Sequence, residues 1–94
     1  MDLSNALECL HVDAGINDEI ITSLLAVIAD YIEVTTGMTK EQQEREPMVY
    51  GVTKHLLTYF YYGDKVNSQP LLRAIDALLK ALSIKVSKEW KKWQ

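Results

Sequence analysis

One cysteine, Cys9, is the whole thiol content of this 94-residue chain, so no disulfide can form within it. It lies beside Leu7 and Leu10 in an apolar-spaced stretch and is expected to pack as a small core residue in a reducing compartment. No apolar run approaches the roughly 20 residues that cross a bilayer. The opening MDLSNALE lacks a basic segment followed by an apolar one, so neither export nor membrane anchorage is expected. The four glycines form no phosphate-binding pattern, and no serine or cysteine carries a nucleophile signature. His11 and His55 stand apart, without His, Cys or carboxylate partners at i+3 or i+4, and are expected to be structural rather than ligands. Asp13 and Asp18 flank Gly15, but the alternating oxygen ligands and the terminal glutamate of a calcium loop are missing, so HVDAGINDE is expected to be a turn and a helix cap. No enzyme, metal or cofactor is expected from this inventory.

What the chain does have is apolar surface and asymmetric charge. With 48 % hydrophobic and 24 % charged residues it has the composition of a globular domain rather than of a disordered segment. A chain of this length makes one domain and buries roughly 60–65 % of its unfolded surface, enough for a small core. Residues 1–46 hold ten acidic and two basic residues, whereas residues 70–94 hold six basic and two acidic ones. Charge runs often only solvate a surface, but opposite ends also suit a chain that meets its own copies head to tail.

Hydrophobic spacing predicts an all-α fold, a small bundle of about four helices with a polar loop after the second and a basic C-terminal tail. The first helix covers residues 3–12, with Leu3, Ala6, Leu7 and Leu10 at helical spacing and Asp2 or Ser4 as its cap. The second covers 17–37: Asn17 is the expected N-cap, Asp18 and Glu19 complement the helix dipole, and Gly37 ends it. It has two apolar stripes, Ile20, Leu24, Val27, Tyr31 and Ile21, Leu25, Ile28, Ile32, with Ala26 and Ala29 allowing close approach. That arc is wider than one packing partner needs, so the helix is expected to be central, with its own domain on one side and a neighbouring subunit on the other. Residues 38–46, MTKEQQERE, show charge without apolar periodicity and are expected to form an exposed loop. A third helix starts at Pro47 and runs through Val49, Val52, Leu56 and Phe60 to Gly63; a fourth starts at Pro70 with Leu71, Ile75, Leu78 and Leu82. Leu24, Ile28, Val52, Leu56, Ile75 and Leu79 are the expected core. Beyond Leu82 the pattern weakens, and the segment either continues the helix or forms an extended arm. This divides the chain into a helical domain, 1–83, and a tail, 84–94.

Two sets of aromatics stand out. Consecutive aromatics on a helix point in different directions, so the run Tyr59 to Tyr62 cannot enter one small core; Phe60 is expected inside, and Tyr59, Tyr61 and Tyr62 are candidates for an interface. Trp90 and Trp93, set among Lys88, Lys91 and Lys92, are costly to leave in water and are expected to dock on a partner. The charged segment holding Lys40, Glu41, Glu44, Arg45 and Glu46 is expected to face a neighbouring subunit or a channel.

The order of these signals resembles the small helical head–tail connector, or adaptor, proteins of tailed double-stranded DNA phages and prophages. The resemblance lies in LECLHVD, in the helix NDEIITSLLAVIADYIEVTTG, in the polar loop, in PMVYGVTKHLLTYFYYG with aromatics near its end, and in QPLLRAIDALL. It extends through Leu82; the basic tryptophan-containing tail departs from it. It implies a homo-oligomeric ring beneath the portal protein of the DNA-filled head, a platform for the next head-completion or tail protein, and a channel through which DNA passes as cargo. The implied location is the head–tail junction of the virion, assembled in the bacterial host cytoplasm. Such a ring uses a heterologous interface, for which the acidic first half and the basic end offer complementary faces. The alternative is a small helical regulatory or nucleic-acid-binding protein using the basic C-terminal end, although five lysines against an acidic body make a weak electrostatic footprint.

Overall fold

The computed structural model describes residues 1–63 and 68–92, with the backbone alone over 89–92. Five helices and no strand are present among the described residues: α1 (Leu3–Leu10), α2 (Asp18–Thr36), α3 (Lys40–Arg45), α4 (Pro47–Tyr62) and α5 (Ser68–Lys92). The fold is therefore the all-α bundle expected from the spacing, with four substantial helices and one short one.

Local chemistry explains each boundary. Asp2 and Asn5 form a reciprocal cap on α1: the Asn5 N–H donates to Asp2 Oδ1 at 2.8 Å and the Asp2 N–H to Asn5 Oδ1 at 3.3 Å. The helix stops at Leu10 rather than at Val12 because His11 adopts a left-handed conformation (φ 57°) that returns its N–H to the Glu8 carbonyl. Asn17 does not cap α2 through its side chain; its amide reaches across to Tyr61 instead. Gly37 ends α2 at φ 80°, a conformation that any side chain would strain. Just beyond it, the Met38 N–H donates to Thr36 Oγ1 at 3.1 Å, which turns the chain into α3.

Residues 38–46 correct the expectation of an exposed loop. Thr39 and Gln42 make a second reciprocal cap (3.2 and 2.9 Å) that starts α3, and Met38 and Gln43 are buried. The Gln43 amide donates to the carbonyls of Ala29 and Met38 at 3.0 and 3.1 Å, tying α3 onto α2. This helix is too short to show apolar periodicity; its signal lies in the cap, Thr39 followed three residues later by Gln42.

Glu46 joins three elements. It ends α3, accepts the Met48 N–H at the first turn of α4, and accepts Lys85 Nζ of α5 at 2.6 Å. That hydrogen bond and charge hold the Glu46 carboxyl below its ordinary range. A depressed carboxyl stabilises the fold above its unfolded-state pKa and loses that contribution as pH falls through its folded-state pKa. The melting temperature of Glu46→Gln is expected below wild type at neutral pH, with the gap closing on acidification; a gap independent of pH would contradict the linkage.

Helix directions follow from the same contacts. Glu46 with Lys85 sets α4 and α5 antiparallel, and Asn17 with Tyr61 sets the start of α2 beside the end of α4. Val86 lies 3.6 Å from where a Cβ on Gly37 would stand, so α2 and α5 run parallel. The core between them comprises Ile21, Ile28 and Ile32 of α2, Val49, Val52, Leu56 and Leu57 of α4, and Ile75 and Leu82 of α5, closed by Ala6 and Leu10 of α1. Of the six residues expected there, Ile28, Val52, Leu56 and Ile75 are buried, while Leu24 and Leu79 are half-buried against that cluster. The helix α5 continues past Leu82 to Lys92, so residues 84–92 are helical rather than an extended arm.

Candidate subunit interface

The two apolar stripes of α2 are covered unequally: Leu24 of the first and Leu25 of the second are half-buried against the core, but the rest divide. Ile21, Ile28 and Ile32 are fully enclosed, whereas Ile20, Val27, Tyr31 and Val34 remain exposed, between 40 % for Tyr31 and 85 % for Val34. Ile20, Val27, Tyr31 and Val34 lie three, four or seven residues apart within α2, so they form one strip along its outer side, while Ile16 is exposed in the turn before it. The cause is the width of the apolar arc: the helices packed on α2 cover one side of it and leave the other in water. A continuous apolar strip is unusual on a surface that faces only solvent, unlike a single exposed leucine.

The strip has an acidic border. The helix α2 carries Asp18, Glu19, Asp30 and Glu33 and no lysine or arginine. Lys40 bridges to Asp30 at 2.6 Å, and its backbone N–H donates to Glu33 Oε2. That pairing raises the Lys40 ammonium above its ordinary value.

The aromatic run is arranged differently from the expectation. Tyr59, Tyr61 and Tyr62 are half-buried against the core, and Phe60, expected inside, is the exposed member. The reason lies in the hydroxyls. Tyr61 accepts the Asn17 amide at 2.6 Å, and Tyr62 donates to the Leu10 carbonyl, pinning the ends of α1 and the start of α2 to α4. Tyr61 and Tyr62 also stack edge to face, with centroids 5.0 Å apart. The two hydroxyls thus serve contacts within the chain. Tyr62→Phe is expected to cost about 1 kcal/mol in chemical denaturation by leaving that carbonyl unpartnered.

Of the charged segment, Glu46 is engaged with Lys85 and Lys40 with Asp30, leaving Glu41, Glu44 and Arg45 as the charges that α3 presents to solvent. Lys88 is exposed on α5. The side chains of Trp90, Lys91 and Lys92, and the whole of Trp93, lie outside the described residues.

Catalytic and ligand chemistry is sparse. Among the described residues no three His, Cys, Asp or Glu side chains cluster to hold a metal, and no helix is long and apolar enough to cross a membrane. His55 Nδ1 lies 2.7 Å from the Gly51 carbonyl, which can only accept, so that nitrogen carries the proton in a local helix contact. Cys9 is half-buried with its sulfur 3.7 Å from the Tyr50 hydroxyl. In the cleft lined by Leu25, Ala29, Gln43, Val49 and Thr53, with Lys40 and Glu44 at its edge, both N–H donors of the Gln43 amide go to backbone carbonyls.

Of the exposed apolar residues at α2, Ile20, Val27 and Tyr31 belong to a stripe already expected from the spacing, and Ile16 and Val34 are added by the structure. The signal of that surface is in the sequence, as an apolar arc too wide for one partner. No protein-family model matches the chain, and no curated protein and no solved structure matches it.

Proposed function

We propose that this chain is a structural subunit of a phage or prophage head–tail connector, a protein without catalytic activity whose copies form a ring between the portal and the next head-completion or tail protein. The observation that carries this reading is the exposed strip on α2. A stable subunit core and a second, uncovered apolar face on the same helix are what a ring-forming subunit requires: one side of α2 folds the monomer and the other meets a neighbour. The family resemblance of the sequence supplies the biological setting. Carboxylates such as Glu41 and Glu44 on α3 repel DNA phosphates, which suits a passage through which DNA slides without binding.

The nucleic-acid-binding alternative draws on the basic end of α5, but one of those lysines, Lys85, is already neutralised by Glu46. Negative-stain imaging and native mass spectrometry of the purified chain, alone and mixed with the portal protein of the genome that encodes it, test the two. Closed rings that attach coaxially to portal are the expected result. A chain that ignores portal and instead binds DNA with a steep salt dependence would overturn the connector reading.

A further inference from the structure

We infer that the exposed strip of α2 seats on the outer face of α5 of the next copy of this chain, the two helices running parallel. The inference takes a self-assembling ring from the proposed function and identifies the surfaces that mate in it.

The α5 helix carries the complement of what α2 presents. Arg73, Ala77, Lys80, Ile84 and Lys88 recur every three or four residues on one side of it, and all are exposed. Ile84, 55 % exposed, is the large apolar residue of that side, set among basic ones. Arg73 and Lys88 make no ion pair among the described residues, and Lys80 is held only by Asp76 one turn away, both well exposed. On α2 the charged side chains are all acidic, and Glu19 and Glu33 lie along one flank of the strip, each about 100° around the helix from its neighbour Ile20 or Val34, with Lys40 of α3 meeting Asp30 and Glu33.

The spacing of these charges sets the register. At 1.5 Å per residue, Glu19 and Glu33 are about 21 Å apart along α2, and Arg73 and Lys88 about 22 Å apart along α5. Placing Glu19 at Arg73 and Glu33 at Lys88 brings Ile84 opposite Tyr31, with Val27 and Val34 on either side. The apolar side chains then meet along the strip and the ion pairs run along one flank of it, on the polar rim of the contact.

The parallel sense belongs to a ring whose axis runs along the helices. Within one chain α2 and α5 already run in the same direction, because Gly37 lies beside Val86 and Asn17 beside Tyr61. A rotation about a ring axis along which the helices run preserves that direction, so α2 of one copy meets α5 of the next in parallel. A two-fold dimer with its axis across the helices would instead set them antiparallel.

Mixed charge reversal tests the contact without portal. One variant carries Glu19→Lys and Glu33→Lys, the other Arg73→Glu and Lys88→Glu; melting temperatures establish that each folds. Alone, each variant presents like charges on both mating surfaces, and its self-association by analytical ultracentrifugation is expected to weaken at least about tenfold. An equimolar mixture pairs each reversed surface with its complement and is expected to restore assembly. In a Cys9→Ser background, a chain with Tyr31→Cys mixed with a chain with Ile84→Cys is expected to give an intermolecular disulfide on mild oxidation. The antiparallel arrangement would keep that pair about 12 Å apart along the helices. Self-association unchanged by the α2 reversal, which a strip-to-strip contact predicts, overturns the inference. So does a mixture that fails to recover, an absent disulfide, or a wild-type chain that stays monomeric at the highest concentration it tolerates. Rescue by mixing in a protein that ignores portal would reject the connector reading and leave this contact standing.

Discussion

Ile28→Ala and Leu57→Ala are each expected to lower the unfolding free energy by about 2–5 kcal/mol, measured by urea denaturation monitored by circular dichroism. Both side chains are fully enclosed, Ile28 on the inner side of α2 and Leu57 on α4, in the cluster that joins α1, α2, α4 and α5. Truncation removes apolar burial and leaves a cavity that helices held by several neighbours cannot close. A small domain has about 5–15 kcal/mol in total, so either variant brings it near the edge of folding. The control sits on the same helix. Val34 is 85 % exposed, and Val34→Ala is expected to change stability by no more than about 0.5 kcal/mol. Equal losses at Ile28 and Val34 would mean that the inner and outer sides of α2 are misassigned.

The outer side gives the opposite pattern. Val27→Gln combined with Val34→Gln is expected to weaken self-association at least about tenfold, equivalent to about 1.4 kcal/mol, while leaving the melting temperature of the subunit unchanged. Glutamine is a better helix former than valine, so α2 itself is not weakened, and both positions already face water in the single chain. What is lost is apolar area that only a neighbour can cover. Sedimentation velocity at several concentrations reads the association and differential scanning calorimetry reads the fold. A variant that assembles normally would show that the strip is not the contact surface. Raised salt is expected to weaken the wild-type assembly in part, through the charged border rather than through the apolar centre.

These two experiments separate what one helix does twice. Its inner stripe is bound into the monomer by isoleucines with no exposure, and its outer stripe holds residues of the same chemistry in water. Chemistry alone does not distinguish Ile20 from Ile21. Their positions differ by one residue, about 100° around the helix, and that rotation decides which of them stabilises the fold.

By itself the sequence determined the four longer helices, because their signals are local: apolar residues at three and four residue spacing, Pro47 where α4 begins, and Gly37 where α2 ends. It also determined most of the core, since the residues that recur on one side of each helix have nowhere else to bury their surface. The tertiary structure decided what depends on distant partners. It turned the Tyr61 and Tyr62 hydroxyls inward because the start of α2 and the end of α1 happen to lie within their reach, and it left Phe60 outside. It bound Glu46, 39 residues away in sequence, to Lys85, and so took that carboxylate out of the surface charge. It converted an apparent loop into α3, whose stability rests on Gln43 meeting backbone carbonyls of Ala29 and Met38. Above all it chose which stripe of α2 is covered: periodicity measures how much of a helix is apolar, but only the placement of α1, α4 and α5 around it determines which part remains open to a partner.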